Sequence, residues 1–437
     1  MVSVPSPGGA RAMARCDVLG VAPFSDLPDA LYRGYLTPAH RAAVDQVGSW
    51  MVEAGMTVAL DPAANLVGRY SGTIDDAPAL VIGSHLDSVR DGGCYDGPLG
   101  VMLGIECVAA LHAQGRHLPF PIEIYGFGDE EGSRFPAAML TSRAVAGTLE
   151  ADLLAIHDAD DISFTTALRL FNADYASVCN GRAFEVSDRS QLGVTSFHQA
   201  RRPAGSTLAY LEAHIEQGPV LEAEGLAVGT VTGIAAQLRY RVEVRGTAGH
   251  AGTTSMPLRR DALAGAAEML LAVEAIARAD ASDLVATVGA IEALPGAANV
   301  IPGRVHFTLD VRAGDAARRD AAAEAMLDRF HTIADTRGLD FAIERVHDLP
   351  ASPCDAALMD LLDAATLAAG QPVRRLVSGA GHDAMVMAAL CPTAMLFLRC
   401  EGGISHNPAE QVAPADAEVA LAVMLGFIER LGAAYGG

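Results

Sequence analysis

Two apolar runs in this chain each end in a cluster of ligand-type side chains. Leu80-Val81-Ile82 reads as a short buried strand closing at Gly83-Ser84, so His85 and Asp87 follow at its carboxyl end and Asp96 lies nine residues further on. Ile122 to Gly128 reads as a second strand, and it delivers Asp129, Glu130 and Glu131. Open α/β sheets collect their ligands at the carboxyl ends of strands. A chain of this kind is therefore expected to be an α/β protein with both strand ends converging on one cleft.

Carboxylates crowded into a cleft repel one another and lose hydration. Divalent cations are the usual neutraliser of such an Asp/Glu/His cluster. Imidazole mixed with carboxylate suits Zn2+, Mn2+, Co2+ or Ni2+ better than Ca2+.

Composition narrows the class. At 437 residues the length favours two or three domains, and 51% hydrophobic with 19% charged residues describes a globular enzyme. No apolar run approaches the roughly 18 to 20 residues of a membrane span, so no membrane partner is expected. Met1 to Ala14 carries Pro5, Pro7, Gly8 and Gly9 without a continuous apolar stretch, which reads as a frayed tail on a cytoplasmic protein. The seven cysteines are odd in number and lack Cys-x-x-Cys pairing, and Cys107 and Cys391 sit in apolar surroundings, as reduced thiols do. Cys94 is nearest to the acidic cluster, among hard ligands that do not favour a thiol.

A formal charge of −22 argues against nucleic acid as a partner. All 31 basic residues are arginine. Without lysine, Schiff-base enzymes, lysine-held pyridoxal phosphate and lysine-dependent phosphate loops are excluded. Asp91-Gly92-Gly93 lacks the strand-to-helix context of a nucleotide loop and reads as a turn.

The pattern up to about residue 225 alternates strands with helices such as Arg41 to Ala54 and Leu99 to Gln114. From about Gln237 it changes: strand Arg239 to Arg245, helix Arg260 to Ala279, strands Leu284 to Ala293 and Arg304 to Arg312, helix Ala316 to Arg337, strand Asp340 to Val346. Two strand-helix-strand units suggest a ferredoxin-like insert. After Pro350 the first pattern returns, with helix Asp355 to Ala369, strand Thr393 to Leu398 and helix Pro414 to Ala434. The expected organisation is a catalytic domain over residues 1–233 and 347–437, with a mixed central sheet, interrupted by an α+β domain over 234–346.

Most of the thirteen histidines need no special role. Five sit in polar, turn-rich sequence: His85, His214 in Leu211-Glu212-Ala213-His214-Ile215-Glu216-Gln217-Gly218, His250 in Gly249-His250-Ala251-Gly252, His382 in Gly379-Ala380-Gly381-His382-Asp383, and His406 in Gly403-Ile404-Ser405-His406-Asn407-Pro408. With the acidic cluster, these segments resemble the hydantoinase/carbamoylase branch of the M20 di-metal amidohydrolases, from about residue 40 to the C-terminus. That branch includes allantoate amidohydrolase, N-carbamoyl-L-amino-acid hydrolase and β-ureidopropionase.

The resemblance implies two divalent metal ions per subunit. His85, Asp96 and His214 would bind one, Asp96, Glu131 and His406 the other, with Asp96 bridging. A carboxylate suits that role because its two oxygens can hold two cations that share and acidify one water. Asp87 would orient His85, and Glu130 would be the general base. His250 corresponds to a histidine that reaches the scissile carbonyl oxygen, often in the partner subunit's site, which implies a homodimer formed through the insert. Asn299 and Arg312 match substrate-binding positions, Arg312 as a carboxylate clamp, and Gln217, Gln237 and His382 resemble pocket positions. The same resemblance implies domain closure by hinges near residues 233 and 346.

Two departures stand out: Thr141-Ser142-Arg143 where relatives show Gly-Ser-Arg, and Ser255-Met256-Pro257 where many show Pro-Met. Neither touches a ligand, so both bear on substrate preference. The implied reaction is hydrolysis of a ureido group on a small carboxylate-bearing substrate. The Phe127-to-Pro136 run favours allantoate, with N-carbamoyl-L-amino acids close behind. An aminoacylase or dipeptidase would use the same metals, but peptidase-like relatives generally carry a carboxylate where this chain has His214.

Overall fold

The structure, a computed structural model, describes residues 7–150, 155–178 and 197–436. The chain divides into two units: Met1–Thr232 with Cys354–Leu376 and His382–Gly437, and Gly233–Pro353 with Val377–Gly381. No helix among the described residues is long and apolar enough to cross a membrane.

The larger sheet begins with β1 (Thr57–Leu60), β2 (Leu66–Tyr70), β3 (Ala79–His85), β4 (Ile122–Phe127), β5 (Thr207–Ile215) and β6 (Val228–Ile234). It also takes in β16 (Thr393–Leu398), so that the strand order runs β1-β2-β4-β3-β5-β16-β6. The central run β4-β3-β5-β16 is parallel, while β2 on β4 and β6 on β16 are antiparallel. This is the expected mixed sheet. β3, β4 and β16 are buried at every residue. Strands covered on both faces read as continuous apolar runs, which is why they were legible.

The helix Pro98–Ala113 lies against this core, buried at 13 of its 16 positions. Pro98 sits at its first turn, where a missing N–H costs nothing. A Cβ on Gly100 would stand 2.1 Å from the Ala213 carbonyl, and one on Gly97 would stand 2.4 Å from the His85 ring. Both glycines therefore set how closely the helix approaches β5 and the end of β3.

The N-terminal segment corrects an expectation. Gly9–Leu19 is a helix, not a frayed tail. Glu106, fully buried on Pro98–Ala113, accepts hydrogen bonds from Arg11, Arg15 and the Gly8 N–H. A buried carboxylate needs such partners, and the N-terminal arginines supply them.

The second unit contains β7 (Ala236–Arg245), β8 (Gly249–His250), β9 (Val285–Thr287), β10 (Ile291–Leu294), β11 (Val300–Ile301), β12 (Arg304–Ala313) and β13 (Asp340–Leu349). Its main sheet has the order β10-β12-β7-β13, antiparallel throughout, with β9 on β12. With helices Ala262–Ala279 and Ala316–Arg337 this is the β-α-β-β-α-β order of a ferredoxin-like fold. Asp261 and Asp315 cap the two helices, and Val242, Phe307, Leu309 and Phe330 fill the core beneath them.

Two details differ from the sequence reading. The single strand expected over Leu284 to Ala293 is split into β9 and β10, with Gly289 in the break. Residue 346, expected as a domain edge, falls inside β13 at a register shift between Arg345 and His347. Two short strands, β14 (Ser352–Pro353) and β15 (Arg375–Ser378), pair with β6.

Candidate metal centre

The parallel strands bring their carboxyl ends to one edge. His85 is the last residue of β3, Asp129-Glu130-Glu131 follows β4, and His214 lies near the end of β5. Asp96 precedes the helix Pro98–Ala113, and His406 sits in the loop after β16. Their side chains form three groups whose ligand atoms lie within 4.8 Å of one another: His85, Asp96 and His214; His85, Glu130 and Glu131; and Asp96, Glu131 and His406.

Asp96 faces two ways. Its Oδ1 lies 3.2 Å from His214 Nε2 and 3.9 Å from His85 Nε2, and the two imidazole nitrogens are 3.5 Å apart. Its Oδ2 lies 3.3 Å from His406 Nε2, which is 3.6 Å from Glu131 Oε1. Atoms held about 2.0–2.1 Å from a tetrahedral ion stand about 3.4 Å from each other. The donor set therefore fits two small divalent cations joined by one carboxylate.

The imidazoles are oriented for that task. His85 Nδ1 lies 3.1 Å from the Asp87 carbonyl oxygen and His214 Nδ1 lies 2.9 Å from that of Ile215. Protons on both Nδ1 atoms donate to these carbonyls and leave each Nε2 lone pair facing the centre. Asp87, fully buried, accepts the Glu130 N–H on Oδ1 and the Glu131 N–H on Oδ2, each at 3.1 Å. Gln217 Nε2 donates to both Asp96 oxygens at 3.2 and 3.1 Å, and Ser405 Oγ donates to Oδ2 at 2.8 Å. Gln217 and His406 hold left-handed backbone, φ 56° and 54°, a strain of roughly 1 kcal/mol or more each.

Burial and mutual repulsion shift the ionisable groups of the centre. Burial pushes Glu130 well above the carboxylate range, and neighbouring Glu131, Asp383 and Asp87 add to it. Burial, with Asp96 and Asp87, raises Glu131 to about 7. For His85 burial opposes the charged form, but Asp87, Glu130 and Glu131 outweigh it and hold the ring well above its ordinary value. Burial lowers His214, with His85 beside it. Cations would take the place of the protons these groups share. Burial pushes the Cys94 thiol up to about 12, so no thiolate is offered.

Residues 81–430 match the profile of Peptidase family M20/M25/M40. The chain belongs to this family. It is 42% identical over 395 residues to the N-carbamoyl-L-amino acid amidohydrolase of Geobacillus stearothermophilus, covering 90% of this chain and 92% of that one. It is 38% identical over 449 residues to allantoate deiminase 1 of Glycine max, covering 96% and 89%. The crystal structure of an amidase of the hydantoinase/carbamoylase family from Burkholderia multivorans superposes with a TM-score of 0.85 at 36% identity, over 97% of this chain and 98% of that one. Within the M20 family the chain stands with the hydantoinase/carbamoylase amidases.

The remaining residues singled out from this M20 sequence fall into separate groups. His382 is buried beside His214, with ring centroids 4.3 Å apart. The others lie in the second unit. His250 is exposed on β8, which pairs with β11, and the Ala251 N–H donates to the carbonyl oxygen of Asn299. The Gly252 N–H donates to His250 Nδ1 at 3.0 Å, so the ring proton of the neutral imidazole sits on Nε2. Gln237 and Arg312 face each other across β7 and β12. Asp310 grips Arg312 at Nε, 2.7 Å, and Nη2, 3.1 Å, and also takes Arg239 Nε at 2.7 Å.

These two groups lie at opposite ends of the β7–β12 ladder. His250 and Asn299 are beyond the Arg245–Arg304 pair, and eight residues along β12 separate that pair from Gln237–Arg312. At 3.2–3.4 Å per residue the ladder spans about 26 Å. One small acid cannot touch both ends of the same sheet.

Several residues around these groups escaped sequence reasoning. Ser405 and Glu410 contact Asp96, and Glu212 lies two residues before His214 on β5. Glu212 is fully buried, accepting from Ser84 Oγ, Tyr210 Oη and the Ala384 N–H. Burial, with Asp383 nearby, raises it to about 8. Burial and Asp96 raise Glu410 to about 8 as well. A glutamate inside an apolar strand was the available signal for Glu212, because strand periodicity sets it on the His214 face.

Proposed function

We propose that this chain hydrolyses the ureido carbon–nitrogen bond of a small carboxylate-bearing substrate, allantoate first and an N-carbamoyl-L-amino acid second, with two divalent cations in each subunit of a homodimer. It is a hydrolase of carbon–nitrogen bonds other than peptide bonds. The observation that carries the reading is Asp96, one oxygen toward the His85–His214 pair and the other toward His406. The activities named for the Geobacillus and Glycine relatives support the ureido class and both substrates.

His85, Asp96 and His214 would hold one cation, and Asp96, Glu131 and His406 the other, as Zn2+, Mn2+, Co2+ or Ni2+. When bound, such a pair acidifies a shared water and polarises the ureido carbonyl. Glu130, kept proton-avid by burial, takes the proton of the attacking water and delivers it to the leaving nitrogen. The amine leaves first, and the carbamate left behind breaks down to ammonia and carbon dioxide. Arg312, oriented by Asp310, binds the substrate carboxylate with its remaining N–H donors, and Gln237 lines the same end of the sheet.

His250 and Asn299 serve the site of the partner subunit in this reading. The ladder of about 26 Å between the Arg245–Arg304 pair, beyond which they lie, and Arg312 supports it. The Nε2–H of His250 then donates to the oxygen on which negative charge develops.

The test is substrate hydrolysis by protein reconstituted with metal, followed as ammonia released from allantoate, N-carbamoyl-L-amino acids and N-carbamoyl-β-alanine, and as free amino acid released from N-acyl amino acids and dipeptides. Turnover of a ureido acid is expected. Turnover of the N-acyl amino acids or dipeptides alone would overturn the reading.

A further inference from the structure

Asp96 is restrained through its backbone as well as its side chain, and the backbone restraint comes from a residue outside the ligand sets. Glu410 Oε1 accepts the N–H of Tyr95 at 2.9 Å and that of Asp96 at 3.1 Å. Tyr95 Oη donates to Asp17 Oδ1 at 2.8 Å, which fixes the same dipeptide from its other side. Glu410 is 2% exposed. Its pocket exists because residue 93 is glycine: a Cβ there would stand 2.3 Å from Glu410 Cδ and 2.4 Å from Oε1.

The loop that carries Glu410 also carries Ser405 and His406, and all three reach Asp96. Ser405 Oγ donates to Oδ2, His406 Nε2 lies 3.3 Å from Oδ2, and Glu410 takes the backbone N–H. The histidine of the second ligand set and the clamp on the shared carboxylate are thus four residues apart on one segment. A bridging carboxylate tolerates little error, because both oxygens must point correctly at once. Ligand groups need placement to within about 0.5 Å, and supporting hydrogen bonds provide it.

We propose that Glu410 is a positioning residue for the shared carboxylate: by accepting two adjacent backbone N–H groups it fixes the direction of Asp96, so that the two cation sites form as a pair. The proposal rests on the two-cation reading above. The work is done by the acceptor oxygen, so a neutral amide of the same shape preserves it. The space at Gly93 belongs to the same device.

The experiment is Mn2+ titration of the metal-free, full-length protein by calorimetry, with electron paramagnetic resonance on the loaded samples. The parent is expected to bind two Mn2+ and to show the spectrum of an exchange-coupled pair. In Glu410→Ala the second Mn2+ should bind about 10- to 100-fold more weakly, with the coupled spectrum replaced by that of isolated ions. Glu410→Gln should restore both properties, because its amide oxygen still accepts the two N–H groups. Gly93→Ala, which expels the carboxyl while leaving Glu410 in the chain, should reproduce Glu410→Ala, and it keeps the test open if that variant fails to fold. A parent that binds fewer than two Mn2+ would overturn the two-cation reading and this proposal with it. A parent that binds two, with Glu410→Ala or Gly93→Ala unchanged, or with Glu410→Gln as impaired as alanine, would overturn the role of Glu410 alone.

Discussion

Asp87 Oδ1 accepts the backbone N–H of Glu130 at 3.1 Å, so the residue that follows one strand fixes the residue that follows its neighbour. The other oxygen does the same for Glu131. Asp87→Ala removes both acceptors and frees the Glu130-Glu131 segment. We expect kcat to fall about 10- to 100-fold and cation affinity to fall with it. Steady-state kinetics beside metal analysis checks this, and an unchanged kcat at full loading would refute it.

Glu130→Gln separates the base from the ligands. The variant should keep both cations and lose about 10²- to 10⁴-fold in kcat. Loss of one equivalent of metal in this variant would move Glu130 from base to ligand.

Cation affinity should rise with pH. Burial raises Glu131 to about 7, and the surrounding carboxylates hold His85 well above its ordinary value, so below about pH 7 protons compete for both ligands. Calorimetry in buffers of different ionisation enthalpy should find protons released on binding near pH 6 and fewer near pH 8. Equal release at both would contradict these shifts.

Without cations the stability should run the other way. Burial raises Glu212 and Glu410 to about 8, so the fold favours their protonated forms. That contribution is complete below the unfolded value of about 4.5 and is lost as pH rises through about 8; His85, also raised, acts in the same direction. In chelator, the melting temperature should therefore fall between about pH 6 and pH 8.5. A rise over that interval would show that these carboxylates are not buried as described.

Mixing two inactive variants tests the division of labour. If His250 serves the partner's site and Arg312 its own, a His250→Ala/Arg312→Ala heterodimer has one doubly damaged site and one intact site. An equal mixture allowed to exchange subunits should recover about a quarter of parental activity, since half the dimers are mixed. No recovery despite exchange would put both residues in the same site.

The sequence made the strands and the candidate ligands readable for one reason. β3 and β4 are covered on both faces and so are mostly apolar, the ion-paired Glu123 apart, and the groups at their ends, His85, Asp87, Glu130 and Glu131, interrupt that character abruptly. What stayed hidden acts over distance. Glu410 serves the backbone of a residue 314 positions away, and a carboxylate that accepts N–H groups leaves no trace in local composition. The helix Gly9–Leu19 was missed for the same reason: its anchor, Glu106, lies on another helix 95 positions from Arg11. The break between β9 and β10 falls at residues 288–290, where a lone Gly289 is a weak signal, because a glycine breaks a strand only where packing allows.

The strand before His406 is not at the rim of its sheet. β16 is wedged between β5 and β6, parallel to the first and antiparallel to the second. This stretch therefore completes the middle of a sheet between two strands, β5 and β6, that lie far earlier in the chain, a topology rich in long-range pairings that close slowly. Until that stretch is in place, Asp96 has neither His406 nor Glu410 beside it.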